Sequence, residues 1–323
     1  MSGTTKKKEE KSQKEIIQIK EEHTEKITSK KGMEALKRRV LRGEFQIETP
    51  KASTVTEKDL NRLMNNQWLS DNVINFYTPY LVSKTLPVEM SSLVHVYDTF
   101  FYTGLITGMI QYRKSHFDVF KKRLIIIPIN QGSDHWAMLF LFNPGNASLE
   151  EVDQEAIPYV LVADSYYEPP DPRMAAKIKQ YLTKLWMVKY EGISKKEAKQ
   201  LFNDQRFRVE VFNGPMQDNT VDCGIYAFKN VEYILTNIES FLWAPPPKTF
   251  RKIYKQEDMA QERNRIGEQI REIKMKEEEE EKAMERMTAL INTMQSMELE
   301  DNDDLQAAEN TGRDKQQLSL IHI

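Results

Sequence analysis

"RLIIIPINQGSDHWAMLFLFNPG", Arg123 to Gly145, reads as two buried strands across a tight turn. Arg123–Asn130 is a β-branched run, and His135 opens a second apolar run that an Asn-Pro-Gly turn closes. "PYVLVADS" (Pro158–Ser165) is a third strand, and "FRVEVFN" (Phe207–Asn213) alternates as a fourth. Between and around them lie helical patterns. "TVTEKDLNRL" starts at a Thr54 or Thr56 cap, and "SDNVINFYTPYLVSK" starts at Ser70 or Asp71 with Val73, Ile74, Tyr77 and Leu81 on one stripe. "DPRMAAKIKQYLTKLW" has Asp171 as cap and Pro172 at its first position. Another helix begins at about Asp222–Cys223 and buries Ile225, Phe228 and Ile234 or Leu235. Strands and helices mix without a strict βαβ repeat, so the class is α+β.

Aromatic and β-branched residues concentrate from about Phe45 to Trp243, and the flanks differ in kind. Residues 1–42 are polar, with basic runs at Lys6–Lys8 and Leu36–Arg42, and are expected to be a disordered tail carrying a weak pointer to the nucleus. Residues 43–273 are expected to form the folded domain. After "APPPK" a charged helical pattern carries Met284, Met287, Leu290 and Ile291 at helical spacing, a candidate contact for a partner helix. From "ELEDNDDLQAAEN" onward residues 274–323 end in an acidic stretch expected to be disordered. One cysteine makes no internal disulfide, and one Cys with five scattered His builds no zinc site. No apolar run spans a bilayer, and the net charge of −3 is uninformative as a total because its distribution is uneven. No metal, cofactor, nucleic acid or membrane partner is expected.

Cys223 is therefore the residue to explain. A lone cysteine is often a small hydrophobe. At a helix start, however, a sulfur meets unpaired backbone N–H groups and the positive end of the helix dipole, which favour thiolate. Gly224 beside it leaves the backbone open to a substrate carbonyl. Thiolate chemistry also needs a base and a group to orient it. Among the histidines, His23 and His322 lie in the tails, His116 in a polar stretch, and His95 in an apolar strand that suits a structural role. His135 stands at a strand start, and Asp164 ends the next strand after an apolar run, where a carboxylate is costly unless paired. Cys223, His135 and Asp164 make a nucleophile, base and orienter.

"DHW", "ADS" and a glutamine six positions before "CG" resemble, in that order, the ubiquitin-like-protein-specific cysteine proteases, the Ulp/SENP family that processes SUMO. "QWLSDNVINFYTPYL" (Gln67–Leu81) is similar to the entry motif of that family, and "YKQEDMAQERNRIGEQI" (Tyr254–Ile270) resembles its closing helix. The resemblance spans about Phe45 to Ile270. It implies a papain-like, adenain-like fold with a central mixed β-sheet flanked by helices. It implies Cys223 as nucleophile, His135 as base and then acid, Asp164 as the group holding the ring, and Gln217 as an oxyanion donor. Trp68 and Trp136 would cover the substrate's C-terminal tail, and Asp71 would meet a basic substrate residue. Each has a plainer alternative: loop amide for Gln217, core packing for the two indoles, helix cap for Asp71.

Two departures stand out. His135 and Asp164 are farther apart than is usual in the family, so "NPGNASLEEVDQEAIP" reads as an inserted loop, and "YEGISKKEAKQLFNDQRF" is also long. The expected activity is cleavage after the C-terminal Gly-Gly of SUMO or a close relative, maturing precursors or releasing conjugates. The alternatives are a NEDD8- or ubiquitin-directed protease of the same fold, or a silent domain that binds a modifier.

Overall fold

A computed structural model describes residues 51–110, 118–132, 134–148, 156–167, 171–190, 192–243 and 250–319, with side chains to residue 292. Both basic N-terminal runs, Phe45, and His23, His116 and His322 lie outside the described residues. The chain divides into two compact units, Met1–Ile270 and Arg271–Ile323.

The first unit is built on a five-stranded sheet. Strands β1 (Val94–Val96), β2 (Leu124–Gln131), β3 (His135–Phe142), β4 (Tyr159–Ala163) and β5 (Arg208–Val211) lie side by side in that order. The three middle strands are antiparallel, while β1 and β5 run parallel to their neighbours. The sheet is thus mixed and the class α+β, as the sequence predicts. The β2–β3 turn sets Gln131 opposite His135, and Gly132 inside it takes a left-handed φ of +68° that favours glycine. β1 pairs only with Leu124–Ile126, so Pro128 lies beyond the parallel ladder, where its missing N–H is tolerated.

Strand alternation sends successive side chains to opposite faces. Ile125, Ile127, Leu139, Leu141, Val160 and Val162 join a core with α4 (Thr99–Ile106), α5 (Pro172–Lys189) and α6 (Lys195–Leu201). The long segment before β5 supplies α6. Ser194 caps it in a reciprocal pair with Glu197, and Ala198 and Phe202 enter the same core. Nearer the site lie α1 (Glu57–Met64), capped by Thr56 with Asp59, α2 (Asp71–Thr85) and α7 (Cys223–Thr236). α7 packs on β3 and on α2 and buries both Ile234 and Leu235. Ser70 holds the N-cap position of α2 without a side-chain bond, and Asp71 is its first helical residue, so Asp71 does not cap its own helix. Short helices α3 (Val88–Ser91) and α8 (Ile238–Trp243) complete the set before α9 (Met259–Ser319). In the first unit, Met259, Arg263, Ile266 and Ile270 of α9 are buried.

The second unit is helical from Arg271 to Ser319. Its Met275, Met284, Met287, Leu290 and Ile291 are exposed. The helix continues through the acidic stretch that composition marks as disordered. No Gly or Pro occurs between Glu268 and Thr311, and Glu, Met, Leu, Ala and Gln are strong helix formers. Among the described residues no helix is long and apolar enough to cross a membrane.

Candidate active site

Antiparallel pairing brings the start of β3 beside the end of β4, since Met138 pairs with Ala163. This register places His135 against Asp164 although 29 residues separate them. Nε2–H of His135 donates to Oδ1 of Asp164 at 2.8 Å. The same oxygen accepts the backbone N–H groups of Tyr166 and Tyr167 at 2.9 and 3.0 Å, and Oδ2 accepts from Gln131 at 3.1 Å. Burial pushes the Asp164 carboxyl up, but the hydrogen bonds from His135 and from the two tyrosine N–H groups outweigh it and hold its pKa below the usual carboxylate range. Burial pulls His135 down, yet hydrogen bonds with Asp164 and Cys223, and the charges of both, hold it up at about 9.

Cys223 is the first residue of α7 and is fully buried. Its thiol also points to the backbone oxygen of Asp134, at a weak 3.9 Å. The ring of His135 therefore lies between a carboxylate and a sulfur, in the order that nucleophile activation requires. The structure assigns Gly224 a different role from the one its neighbour suggests. A Cβ there would meet the Leu69 side chain at 2.6 Å, so glycine makes room for the segment that carries Trp68. His95 sits apart, packed edge-on to Tyr97. Burial first, and then Lys122, lower its pKa to about 4, so it stays neutral at physiological pH.

Gln217 is held inside the loop before α7. Its backbone N–H donates to Ser165 O at 2.8 Å, its Oε1 accepts from Ser165 Oγ at 2.7 Å, and its Nε2 donates to Asn219 O at 2.6 Å. An amide nitrogen carries two hydrogens, so Gln217 has a second one to offer another acceptor. These bonds tie the glutamine to the residue following Asp164. Trp68 Nε1 donates to Thr220 O at 2.7 Å in that loop, and Trp136 Nε1 donates to Leu69 O at 3.0 Å. Trp68 thus meets the loop before Cys223 and Trp136 the segment that carries Trp68, but Trp136 is buried whereas Trp68 is 40% exposed.

The motifs assign no role to three groups. Gln131 braces the carboxylate, and Tyr166 and Tyr167 flank the imidazole. Arg263 of α9 is among the largest fully buried side chains of the described residues. Its guanidinium meets Asp222 Oδ1 at 2.8 and 2.7 Å, and donates to the carbonyls of Val221 at 2.7 Å, Leu63 at 3.1 Å and Gln67 at 3.0 Å. Asp222 Oδ2 accepts from Asn219 and Gln256. One arginine thereby joins the residue before Cys223 to the residue before Trp68. Alternating charges on a helix conceal such a residue, because Arg263 and exposed arginines share one sequence pattern. Among the described residues no group of three or more His, Cys, Asp or Glu is placed to hold a metal ion.

Residues 67–277 match the family model of the Ulp1 protease family, C-terminal catalytic domain. The chain is similar to Ubiquitin-like-specific protease 2 of Schizosaccharomyces pombe, 28% identical over 236 residues, 61% of this chain and 35% of that protein. It is also similar to Sentrin-specific protease 2 of Homo sapiens, 27% identical over 184 residues, 56% of this chain and 28% of that protein. The chain thus spans no more than 35% of the length of either relative. A crystal structure of a de-sumoylating protease shares the fold, with a TM-score of 0.53 at 21% identity, over 68% of this chain and 86% of that one.

Proposed function

The chain belongs to the Ulp1 protease family, and on that premise we propose that it is a thiol protease cleaving after the C-terminal Gly-Gly of SUMO or a close ubiquitin-like modifier. The observation that carries the chemistry is the 2.8 Å bond between His135 Nε2 and Asp164 Oδ1, with the other side of the ring toward Cys223. The choice of modifier follows the relatives, whose names are ubiquitin-like-specific and sentrin-specific proteases.

In this mechanism the Cys223 thiolate attacks the terminal glycine carbonyl, and the developing oxyanion takes hydrogen bonds from the Cys223 N–H and Gln217 Nε2. His135 gives its ring proton to the leaving nitrogen as the C–N bond breaks, which leaves a thioester on Cys223. Water then attacks the thioester, His135 accepts its proton, and the glycine carboxylate leaves the regenerated thiol–imidazole pair. Asp164 holds the ring throughout. Trp68 and Trp136 are assigned to cover the tail of the modifier, and two indoles over a narrow slot admit only a tail without side chains, which glycine supplies. Asp71 is offered to a basic residue of the modifier. Peptide and isopeptide bonds present the same carbonyl, so precursor maturation and release from lysine both lie within this chemistry. Filled and hydrogen-bonded catalytic positions favour an enzyme over a silent binding domain.

The test is turnover of a SUMO precursor by Cys223→Ala. The variant is expected to bind SUMO with unchanged affinity and to release no product; cleavage at the wild-type rate would remove Cys223 as nucleophile. For the second unit we propose contact with a partner helix through Met284, Met287, Leu290 and Ile291, which are exposed at helical spacing. If the partner is a second copy, deletion of residues 276–323 halves the mass seen by light scattering, and an unchanged mass counts against self-association.

A further inference from the structure

Resting on that function, we propose that Tyr166 and Tyr167 form the acceptor side of the active site and pack against the lysine side chain that leaves as the amine. The two residues are 47% and 49% exposed, although their rings lie beside the catalytic imidazole. The centroid of Tyr167 is 5.2 Å from that of His135, with the rings perpendicular, and the centroid of Tyr166 is 5.7 Å away. The tyrosines meet each other edge to face at 5.1 Å. Their backbone N–H groups both donate to Asp164 Oδ1, so the carboxylate that orients the base also fixes these two residues beside it.

Chemistry places the leaving group here. The departing nitrogen takes its proton from His135 and must lie within hydrogen-bond reach of that ring. The carbon chain attached to the nitrogen then passes the exposed groups that flank the imidazole. The modifier tail is assigned to Trp68, which is bonded to Thr220, and to Trp136, which is bonded to Leu69. The exposed rings on the His135–Asp164 side are Tyr166 and Tyr167. In an isopeptide the lysine ε-nitrogen is an uncharged amide preceded by four methylenes, and such a stem suits two aromatic faces.

The experiment compares two substrates on the full chain. One is SUMO joined by an isopeptide bond to a lysine-containing peptide, and the other is SUMO ending in a vinyl trap with no leaving group. Tyr166→Ala/Tyr167→Ala is expected to lose roughly tenfold in kcat/KM on the isopeptide, while the trap captures Cys223 within about twofold of the wild-type rate. Tyr166→Phe/Tyr167→Phe keeps the rings and is expected to retain both activities. Equal losses on the two substrates would overturn the proposal, because the rings would then act only by orienting His135. Unchanged isopeptide cleavage would overturn it too. Failure of the wild type to be captured defeats the functional reading beneath it, and this inference with it.

Discussion

The two halves of the active site are held in different ways. His135 and Asp164 stand at the ends of adjacent antiparallel strands, so sheet register alone brings them together. Gln217 and the loop up to Asp222 have no ladder to hold them, and depend on one backbone bond to Ser165 and on the side chains of Ser165, Asn219 and the buried Arg263. The acid–base half is thus an outcome of backbone pairing, while the oxyanion half is an outcome of specific hydrogen bonds. A site built in this way should fail by chemistry when a reacting group of either half is altered, and by folding when the buried clamp on Asp222 is removed.

The largest effect is expected at Asp164. Asp164→Asn preserves size but presents the ring with the wrong partner, and turnover should fall by about 10⁴ in a protein that stays folded. Arg263→Ala tests the other half. It leaves the Asp222 carboxylate buried without its main partner, which should lower unfolding free energy by about 3–5 kcal/mol in urea titration. A loss below about 1 kcal/mol would show that the loop does not need this clamp. Gln217→Ala removes one oxyanion donor and should lower kcat by roughly 10²–10³ with KM nearly unchanged.

A smaller effect follows from the histidine. The folded pKa of His135, about 9, lies above its ordinary 6.5, so its contribution to stability is complete below pH 6.5 and fades as pH rises through 9. The Asp164 contribution runs the other way: it is present above the ordinary 3.8 and is lost as pH falls through the depressed folded value. The stability difference between wild type and His135→Gln should therefore shrink from pH 6.5 to 9, as measured by denaturant titration across that range. A difference that stays flat would mean that the imidazolium is not held by its two neighbours.

The same contrast explains what the amino-acid sequence reveals and what it hides. β-branched runs, turn chemistry and a carboxylate after an apolar strand are local signals, and they suffice to locate β2, β3 and β4 and the pair His135–Asp164. Cys223 is legible because it is single and sits where an apolar-periodic helix begins. Arg263 is not, because its burial depends on Asp222, 41 positions earlier, and on carbonyls near residue 65. Reading Gly224 as an opening for substrate fails for a similar reason, since the side chain that needs its space belongs to Leu69. Composition marks the acidic end as disordered because it reports solvation rather than backbone conformation, and a run without Gly or Pro can stay helical while exposed.

The most direct test is covalent capture. Wild type and Cys223→Ala are incubated in parallel with SUMO, NEDD8 and ubiquitin, each bearing a reactive trap after Gly-Gly, and the adducts are weighed by mass spectrometry. The account predicts a SUMO adduct on Cys223 of the wild type and no adduct on the variant. A folded wild-type protein that captures none of the three would contradict it.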